Sequence, residues 1–384
     1  MELTKCKLGE LITQRREKND GSDLPICGVS KDGLIPPKQK DADTSIYNVF
    51  YRDDFIFNPA RMELNSIAIN DMYDRAICSS LYEVFYVHRT DLLLPHYLEL
   101  IIRQKWFTRY CEFLGQGSAR EYCRFGNISE IEIEFPPIEE QQKIVEYNTA
   151  IENRIALKQK INDNLVAVGT ASIQKNVGRG ALINLTEAEM DSLIFPEDFK
   201  IKTVSEFCAE TKSGSTPSRT NNEYWKNGTI SWVKSGEVHN NITLQTEEYI
   251  TSLGLSESST KLLPKDTVLM AMYGVTAGEV GYLAIEATTN QAICGMICRS
   301  KAEAAYLYFS LIQSQAAISR LSNGGAQDNL SKNFIDNIKI VVPPSEFIEK
   351  LNLAAIVEQM TLNTKEITLL EELQATVLAQ LSSR

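Results

Sequence analysis

Two short motifs in this chain contain residue types that could take part in catalysis. Asn58-Pro59-Ala60-Arg61 begins like the Asn-Pro-Pro-aromatic loop of amino-methyltransferases, but it lacks the second proline and the aromatic residue. No glycine-rich cofactor loop precedes it. Asp198-Phe199-Lys200 has the acidic-x-Lys spacing of some nucleases, which is common by chance. We therefore predict that neither motif is catalytic.

Other catalytic and metal-binding signatures are missing from the sequence. It contains no GxxxxGK[ST] phosphate loop, no GxGxxG turn, no HExxH motif and no CxxC pair. The 8 cysteines are typical of reduced structural thiols in a cytoplasmic protein. The longest apolar stretch, residues 92–102, is interrupted by Pro95, His96 and Glu99, so it is too polar for a membrane span. These features predict a non-enzyme with no metal, no cofactor and no membrane partner.

The sequence repeats itself about 207 residues apart. GSAREYCRFGNISEIEIEFPPIEEQQKI, residues 117–144, aligns without gaps with GGAQDNLSKNFIDNIKIVVPPSEFIEKL, residues 324–351. Identical positions include a glycine, an alanine, two isoleucines, both prolines of a Pro-Pro pair, a glutamate and a lysine. A globular unit followed by a helical stretch, made twice, indicates a tandem duplication.

The strand and helix patterns predict two similar mixed units. Runs of β-branched and aromatic residues predict strands at residues 46–51, 81–87, 131–135, 228–233, 267–273 and 338–342. Helical spacing predicts one helix over residues 95–113 and another over residues 303–321. Ala76-Ile77-Cys78 is matched by Ala292-Ile293-Cys294 in what we take to be the corresponding place. Both units are predicted to be α+β domains.

A long helix is predicted after each Pro-Pro pair, because diproline cannot lie within a helix and favours a stiff, extended start. Asn363 and Gln374 interrupt the apolar seam of the second helix. The spacing favours a two-stranded coiled coil, with separate packing of each helix on its own domain as the alternative. The seam residues that we assign to partner binding are Ile144, Ile151, Ile155 and Leu165 in the first helix, and Ile356, Met360, Ile367, Leu370 and Val377 in the second.

The net charge of the chain limits what it can bind alone. The formal net charge is −11 at pH 7, which argues against strong binding to nucleic acid by the chain alone. Any contact with a polyanion would need local basic spots or the help of a partner.

Taken together, these motifs resemble those of the specificity subunit of Type I restriction-modification enzymes, over essentially the whole chain. Two segments depart from the family pattern: FIFNPAR at residues 55–61 replaces a threonine-proline opening, and SEFIEK at residues 345–350 lacks the usual Glu-Gln pair. Besides the two Pro-Pro blocks, the resemblance rests on EEQQKIV at 139–145, KSGSTP at 212–217, YW at 224–225, GTISWV at 228–233, KDTVL at 265–269, two glycines at 274 and 278, and NQAI at 290–293.

The resemblance implies an α+β fold with a pseudo-twofold repeat. Two tandem target-recognition domains, residues 1–137 and 179–344, would be separated by two long antiparallel helices, residues 138–178 and 345–384, in a coiled coil. Each domain would read half of a bipartite site in double-stranded DNA, and the site would be asymmetric because the two units differ. The helices would dock two methyltransferase subunits, which motor-nuclease subunits then join. The chain would be non-catalytic, and S-adenosylmethionine, ATP and magnesium would bind to the partner subunits only.

Within this reading, candidate DNA contacts are exposed residues that can hydrogen bond base edges or phosphates. Between Glu99 and Gly126, basic residues outnumber acidic ones. A helix cap or an ordinary surface loop is the alternative role for each. The first half supplies Arg61, Arg103, Lys105, Arg109, Gly117, Ser118, Arg120 and Arg124. The second half supplies Lys212, Ser213, Thr216, Ser218, Arg219, Lys234, Ser235, Tyr273, Thr276, Gly324, Gly325 and Gln327.

Two other hypotheses remain open at this point. The chain could serve a related bipartite system in which methylation and cleavage lie on one partner, and the identity of the partner's gene would distinguish the two systems. It could instead be a structural adaptor without DNA binding, with two divergent protein-binding domains on a coiled coil. The low overall basicity of the chain supports the adaptor.

Overall fold

The structure is a computed structural model that describes residues 3–31, 33–37, 43–115, 122–183, 189, 193–239, 241–322 and 329–382. The chain forms two compact units. The first consists of Met1–Arg154 with Leu370–Arg384, and the second of Ile155–Leu369. Within the described residues, every helix is too short or too polar to cross a membrane.

The first unit contains small sheets around an aromatic core. In the core, the rings of Phe55 and Phe85 stack with their centres 5.0 Å apart. The sheets have the strand orders β1-β10, β2-β9-β6-β7 and β4-β3-β8-β5, and all pairs are antiparallel except β3 with β8. The strands are β1 Thr4–Lys7, β2 Ile12–Arg15, β3 Ile26–Ser30, β4 Gly33–Ile35, β5 Asn48–Tyr51, β6 Phe55–Phe57, β7 Ile67–Ile69, β8 Arg75–Cys78, β9 Glu83–Val87 and β10 Glu132–Phe135.

The helix predicted over residues 95–113 is two helices, so that prediction was wrong in its continuity. The chain turns at Gln104, whose carbonyl accepts hydrogen bonds from the amides of Phe107 and Thr108 and so begins a new helix. The side chain of Gln104 is buried and accepts a hydrogen bond from Trp106 Nε1 at 2.6 Å. The helices of the first unit are Pro95–Ile102, Lys105–Gly115 and Phe125–Ser129, with 3-10 helices at Leu8–Glu10, Thr44–Ile46 and Pro59–Leu64.

The first long helix, Ile138–Asn176, is fixed at its start by a buried glutamine. The side chain of Gln141 donates hydrogen bonds to the carbonyls of Leu92 at 2.7 Å and Pro136 at 2.8 Å, and accepts one from the amide of Leu94 at 2.9 Å. In the aligned repeat this position is Ile348, which is also buried. The second copy therefore replaces the polar contacts with apolar packing, which accounts for its departure from the Glu-Gln pattern.

The second unit repeats this organisation with a larger central sheet. Its sheets have the strand orders β11-β21-β12, β13-β20-β17-β18-β15 and β16-β14-β19. The strands are β11 Ala181–Leu182, β12 Lys200–Thr203, β13 Glu210–Ser213, β14 Ile230–Val233, β15 Ile242–Thr243, β16 Glu248–Ile250, β17 Thr267–Ala271, β18 Val280–Leu283, β19 Thr288–Thr289, β20 Ile293–Ile297 and β21 Lys339–Val342.

The helix predicted over residues 303–321 is also two helices. Ser314 separates them: its carbonyl accepts from the amides of Ala317 and Ile318, while its hydroxyl donates to the carbonyl of Ala181 at 3.1 Å. The helices of this unit are Val204–Phe207, Ser252–Ser256, Lys301–Gln313, Gln315–Ser322, Lys332–Asp336 and Ser345–Lys350, with 3-10 helices at Asn222–Tyr224, Ser235–Glu237 and Gly274–Thr276. The last helix, Leu353–Ser382, begins in this unit and belongs to the first unit from Leu370 on.

Strand pairing identifies the equivalent parts of the two units. Each contains a strand with one parallel and one antiparallel neighbour: β3 pairs with β8 and β4, and β14 pairs with β19 and β16. By this pairing β8 corresponds to β19. In the other main sheet of each unit, the orders β2-β9-β6-β7 and β13-β20-β17-β18 make β9 equivalent to β20. The predicted match of Ala76-Ile77-Cys78 with Ala292-Ile293-Cys294 was therefore wrong, because the first lies in β8 and the second leads into β20.

The two long helices pair in antiparallel orientation. In the second unit, Lys158 Nζ contacts Glu366 at 2.7 Å, whereas Asn162, one turn later, bonds Thr364 at 3.3 Å. In the first unit, Gln374 Nε2 donates to Asn148 Oδ1 at 3.0 Å and to Glu152 Oε1 at 3.2 Å. The polar residues that interrupt the apolar seam, Asn363 among them, thus bond across it. Such pairs specify register in coiled coils.

Candidate nucleic-acid interface

The loop after β13 contains much of the second unit's predicted contact set, and two indole groups hold its backbone. Trp232 Nε1 donates to the carbonyl of Ser215 at 3.0 Å, and Trp225 Nε1 donates to the carbonyl of Ser218 at 3.1 Å. A loop fixed in this way presents its side chains with little conformational freedom to lose on binding. The predicted residues that it carries or adjoins are Lys212, Ser213, Thr216, Ser218 and Arg219.

A glycine lets this loop pass close to the neighbouring strand end. A Cβ atom at Gly214 would lie 2.2 Å from both the backbone oxygen of Asn290 and Oγ1 of Thr289, so no larger residue fits without a backbone shift. Nearby, Thr216 Oγ1 donates to Gln291 Oε1 at 2.5 Å. The loop is therefore anchored on both sides of its turn.

Arg219 is held against two aromatic rings and a carboxylate. Its guanidinium carbon lies 3.7 Å from the ring centre of Trp225 and 4.9 Å from that of Trp232, which are cation–π distances. The guanidinium also forms an ion pair with Glu248. The hydrogen bond from Arg219 lowers the pKa of Glu248 below its ordinary value. The guanidinium is thus oriented by its own domain, and its side chain remains half exposed.

The other basic candidates of the second unit are also paired with carboxylates. Lys234 Nζ lies 2.5 Å from Glu247 and 3.5 Å from Glu248, and the hydrogen bond to Glu247 raises the pKa of Lys234. Lys212 Nζ lies 2.9 Å from Glu210. Exposed ion pairs of this kind stabilise a fold little. They do neutralise the cations locally, so a phosphate would have to displace a carboxylate to reach them.

The turn between β17 and β18 differs from its prediction. Thr276 is buried and donates to the carbonyl of Ser235 at 3.3 Å, so its hydroxyl has a structural partner, whereas Tyr273 is partly exposed. Val275 is fully exposed between two glycines with positive φ. An aliphatic, β-branched residue beside a strand resembles a core residue in sequence, which is why Val275 was missed. Its methyl groups could contact a thymine methyl group.

In the first unit, Arg61 and Arg124 line one cleft of about 990 Å³. Arg61 belongs to the helix Pro59–Leu64 and forms no ion pair with any residue that the structure describes. Arg124 pairs with Glu83 at 3.1 Å, and its guanidinium carbon lies 5.3 Å from the ring centre of Tyr122. The cations and the aromatic ring of this cleft are groups that can contact the phosphates and bases along a DNA groove.

The other basic candidates of the first unit lie elsewhere. Arg103, Lys105 and Arg109 line a separate, mostly apolar groove. Arg103 is engaged within the unit, because it pairs with Glu99 at 3.3 Å and donates to the carbonyl of Lys31. The sequence cluster of first-half cations is thus divided between two surfaces. The remaining candidates, Gly117, Ser118, Arg120, Gly324, Gly325 and Gln327, lie outside the described residues and stay predictions.

The residues assigned to partner binding are mostly withdrawn from solvent. Met360 is buried, and Ile144, Ile151, Ile155, Leu165, Ile356, Ile367, Leu370 and Val377 are half-buried. Their role toward a partner stays a prediction. The large apolar side chains that the long helices expose are mostly a different set: Tyr147, Leu157, Leu362, Leu369 and Leu373. The apolar spacing also predicts Val168 in the seam of the first helix, but its side chain is 55% exposed, so that prediction was wrong.

The cysteines are free thiols, and the most deeply buried of them have little nucleophilic character. Burial raises the pKa of Cys294 to about 12 and takes that of Cys78 further above its ordinary value. A thiol held in its neutral form is a poor nucleophile and a poor metal ligand. Across the described part of the chain, His, Cys, Asp and Glu side chains form no group of three or more that could hold a metal ion.

Comparisons with known proteins agree with this arrangement. A sequence model of the Type I restriction modification DNA specificity domain matches residues 6–167 and 196–375. The Type I restriction enzyme HindI specificity subunit of Haemophilus influenzae is 22% identical over 357 residues, covering 76% of this chain and 77% of that protein. The Type I restriction enzyme EcoR124I/EcoR124II specificity subunit of Escherichia coli is 25% identical over 200 residues, covering 51% of this chain and 46% of that protein.

Among solved structures, the S subunit of a Type-I restriction-modification system from M. genitalium has a similar fold. The two superpose with a TM-score of 0.59 over 99% of this chain and 96% of that one, at 14% sequence identity.

Proposed function

Because the chain belongs to the Type I restriction modification DNA specificity domain family, we propose that it is the non-catalytic, DNA-reading subunit of a Type I restriction-modification enzyme. Its first unit reads one half of a bipartite, asymmetric site in double-stranded DNA, and its second unit reads the other half. The observation that carries this proposal is a duplicated framework with unlike exposed residues on its two copies.

Most of the two frameworks corresponds, since β2-β9-β6-β7 matches β13-β20-β17-β18 and β4-β3-β8 matches β16-β14-β19, but the surfaces that face outward do not correspond. The first unit offers a cleft with Arg61 and Arg124. The second offers the loop held by Trp225 and Trp232, together with the exposed turn at Val275. Because base edges are distinguished by the donors, acceptors and methyl groups set against them, unlike surfaces select unlike sequences. Two different half-sites follow from this difference.

The chain alone binds DNA weakly under this proposal. Phosphate contacts supply most of the affinity of DNA-binding proteins. This chain has a net charge of −11, and Lys212, Arg219 and Lys234 are each paired with a carboxylate. Partner subunits therefore supply most of the clamp on the DNA backbone. Tight binding of the isolated chain to non-target DNA at physiological salt would contradict this part of the proposal.

The long helices dock two methyltransferase subunits, through which motor-nuclease subunits join. Support comes from the exposed apolar side chains on these helices, such as Tyr147, Leu157 and Leu362, because apolar side chains left in solvent are typical of interaction surfaces. The methylation itself, with S-adenosylmethionine, and the ATP- and magnesium-dependent steps belong to the partner subunits. The residues of this chain position the DNA for them.

The test is a genome-wide map of methylated adenines by long-read sequencing, in the native host with and without this gene. We expect deletion to remove one split, asymmetric motif, which would also reveal the target. Complementation with the intact gene restores it. An unchanged map, with the partner methyltransferase shown to be expressed, would overturn the proposal and favour a structural adaptor that binds proteins instead of DNA.

A further inference from the structure

A groove of about 880 Å³ on the first unit has features that the DNA-reading role does not use. One wall is the helix Lys105–Gly115, which contributes Trp106, Tyr110 and Phe113. The other wall is the end of the helix Leu353–Ser382, which contributes Ala375, Leu378 and Ala379. Both walls belong to the first unit.

The aromatic wall is exposed to solvent to an unusual degree. Phe113 is 68% exposed and Tyr110 is 39% exposed, although both are large and apolar. Trp106, Tyr110 and Phe113 follow one another at four- and three-residue steps, so they form a stripe along one face of their helix. A stripe of this spacing matches the anchors of a helix laid into a groove. The alanines of the facing wall leave room for a third helix to approach closely.

The charged side chains that line the groove are cationic. Among the described residues that line it, these are Arg103, Lys105 and Arg109, and none of the described lining residues is a carboxylate. Lys105 and Arg109 are exposed and form no ion pair with any residue in the described part of the chain. On a chain with a net charge of −11, this is a local positive rim around an apolar floor. A binding partner that is complementary to this groove is apolar on one face and acidic beside that face.

A protein segment can present such an apolar face with acidic groups beside it, whereas DNA cannot. A DNA backbone presents phosphates along its whole length, and the alanine and leucine side chains of one wall give those phosphates no donor. Buried aromatic residues with arginine at the margin are, in contrast, typical of protein–protein interfaces. The two-helix groove also suits an amphipathic helix in shape.

We infer that this groove binds an amphipathic helix of the methyltransferase subunit, with an apolar face against Trp106, Tyr110 and Phe113 and acidic side chains beside Lys105 and Arg109. This inference rests on the proposed function, because it takes the methyltransferase as the partner. It adds a docking surface on the first unit to those on the long helices.

The experiment measures the affinity of the full chain for the methyltransferase subunit encoded with it, by titration calorimetry. Tyr110→Ala with Phe113→Ala is expected to weaken binding by about tenfold or more, as truncation of aromatic anchors does at interfaces. Arg109→Glu weakens binding too, and lysine substitutions in the partner's acidic helix are expected to restore binding to Arg109→Glu while weakening binding to the unaltered chain. Tyr249→Ala, at a tyrosine with 38% exposure in the second unit, is the matched control and leaves binding unchanged. Circular dichroism melting of each variant identifies any variant that fails to fold. If the double variant fails to fold, Arg109→Glu still tests the inference, because Arg109 is exposed.

Each outcome decides the inference. If the wild-type chain binds the methyltransferase and the groove variants bind as tightly as Tyr249→Ala, the groove is not the dock, while the proposed function stands. If assembly is unchanged but the assembled complex loses target DNA, the groove contacts nucleic acid, and the inference falls in favour of that role. If the wild-type chain binds no methyltransferase at all, the proposed function and the inference fall together.

Discussion

Replacing Asn363 with alanine would test whether buried polar pairs hold the long helices in register. Within the second unit, Asn363 Oδ1 accepts from Lys158 Nζ and from Gln359 Nε2, both at 3.1 Å, and Asn363 Nδ2 donates to Asn162 Oδ1 at 2.9 Å. Loss of three hydrogen bonds costs about 3 kcal/mol at about 1 kcal/mol each. The better helix propensity of alanine offsets about 0.6 kcal/mol. We expect the free energy of unfolding of this unit to fall by about 2 kcal/mol.

Differential scanning calorimetry of the full chain measures this effect. For a unit of this size, about 2 kcal/mol lowers the midpoint of its unfolding transition by about 4–8 °C. Leu362→Ala, at the neighbouring exposed position, is the control and should change stability by about 0.5 kcal/mol or less. Lys158 keeps its contact with Glu366 at 2.7 Å in both variants. If Asn363→Ala and Leu362→Ala melt within about 1 °C of each other, the polar pairs do not stabilise the helix pairing.

Three other predictions concern the candidate interface and one histidine. Gly214→Ala should displace the loop beside it. In a competition assay, the assembled enzyme should then lose discrimination at one half-site and keep it at the other. Gly236→Ala is the control, because a Cβ there would meet nothing within 4 Å, and it should leave discrimination at both half-sites unchanged. Glu248→Gln should release Arg219, while Lys234 keeps its pair with Glu247 at 2.5 Å. The slope of log affinity for DNA against log salt should then steepen by about 1, whereas an unchanged slope would mean that Arg219 reaches no phosphate. The carboxylate of Glu99, 3.9 Å from Nδ1 of His96, raises the pKa of His96 above 6.5. The stabilising contribution of this pair is therefore complete below pH 6.5 and is lost as pH rises through the folded-state pKa; an NMR titration midpoint at or below 6.5 would contradict this.

Local signals in the sequence predicted the framework well. Diproline followed by acidic residues marked the start of the first long helix, and apolar spacing marked its pairing with the second, because both depend on residues close together in the chain. The antiparallel orientation came from the resemblance to a family. The motif EEQQKIV is part of the same resemblance. In the structure its Gln141 hydrogen bonds three backbone groups at the start of the helix.

Features that depend on distant residues could not be predicted. The helix breaks at Gln104 and Ser314 contain neither proline nor glycine, and Ser314 is fixed by a carbonyl of Ala181, far away in the chain. The false match of two Ala-Ile-Cys triplets arose because short apolar strands look alike until their partners are known. In the same way, no spacing in the sequence reveals that Arg219 pairs with Glu248 or stacks on Trp225.

Asn363 and Gln374 show how a local rule can mislead. Each interrupts an apolar seam, which in sequence indicates a weak point of the coiled coil. In the structure each bonds a polar residue of the facing helix, so the interruption is shared by both partners. The sequence contains both members of each pair, but only the register of the helices shows that they meet.

The carboxylates beside the second unit's cations bear on the fate of copies made before their partners are available. A genome offers about 10⁶ or more competing sites to any basic surface, and ribosomal RNA is a further polyanion. Lys212, Arg219 and Lys234 already have counter-charges within the chain, so the second unit of a lone copy would gain little by binding to either. Such a copy would stay free to diffuse, and production in excess would not coat the chromosome. Ion pairing within the chain would thereby limit nonspecific binding of unassembled copies to nucleic acid.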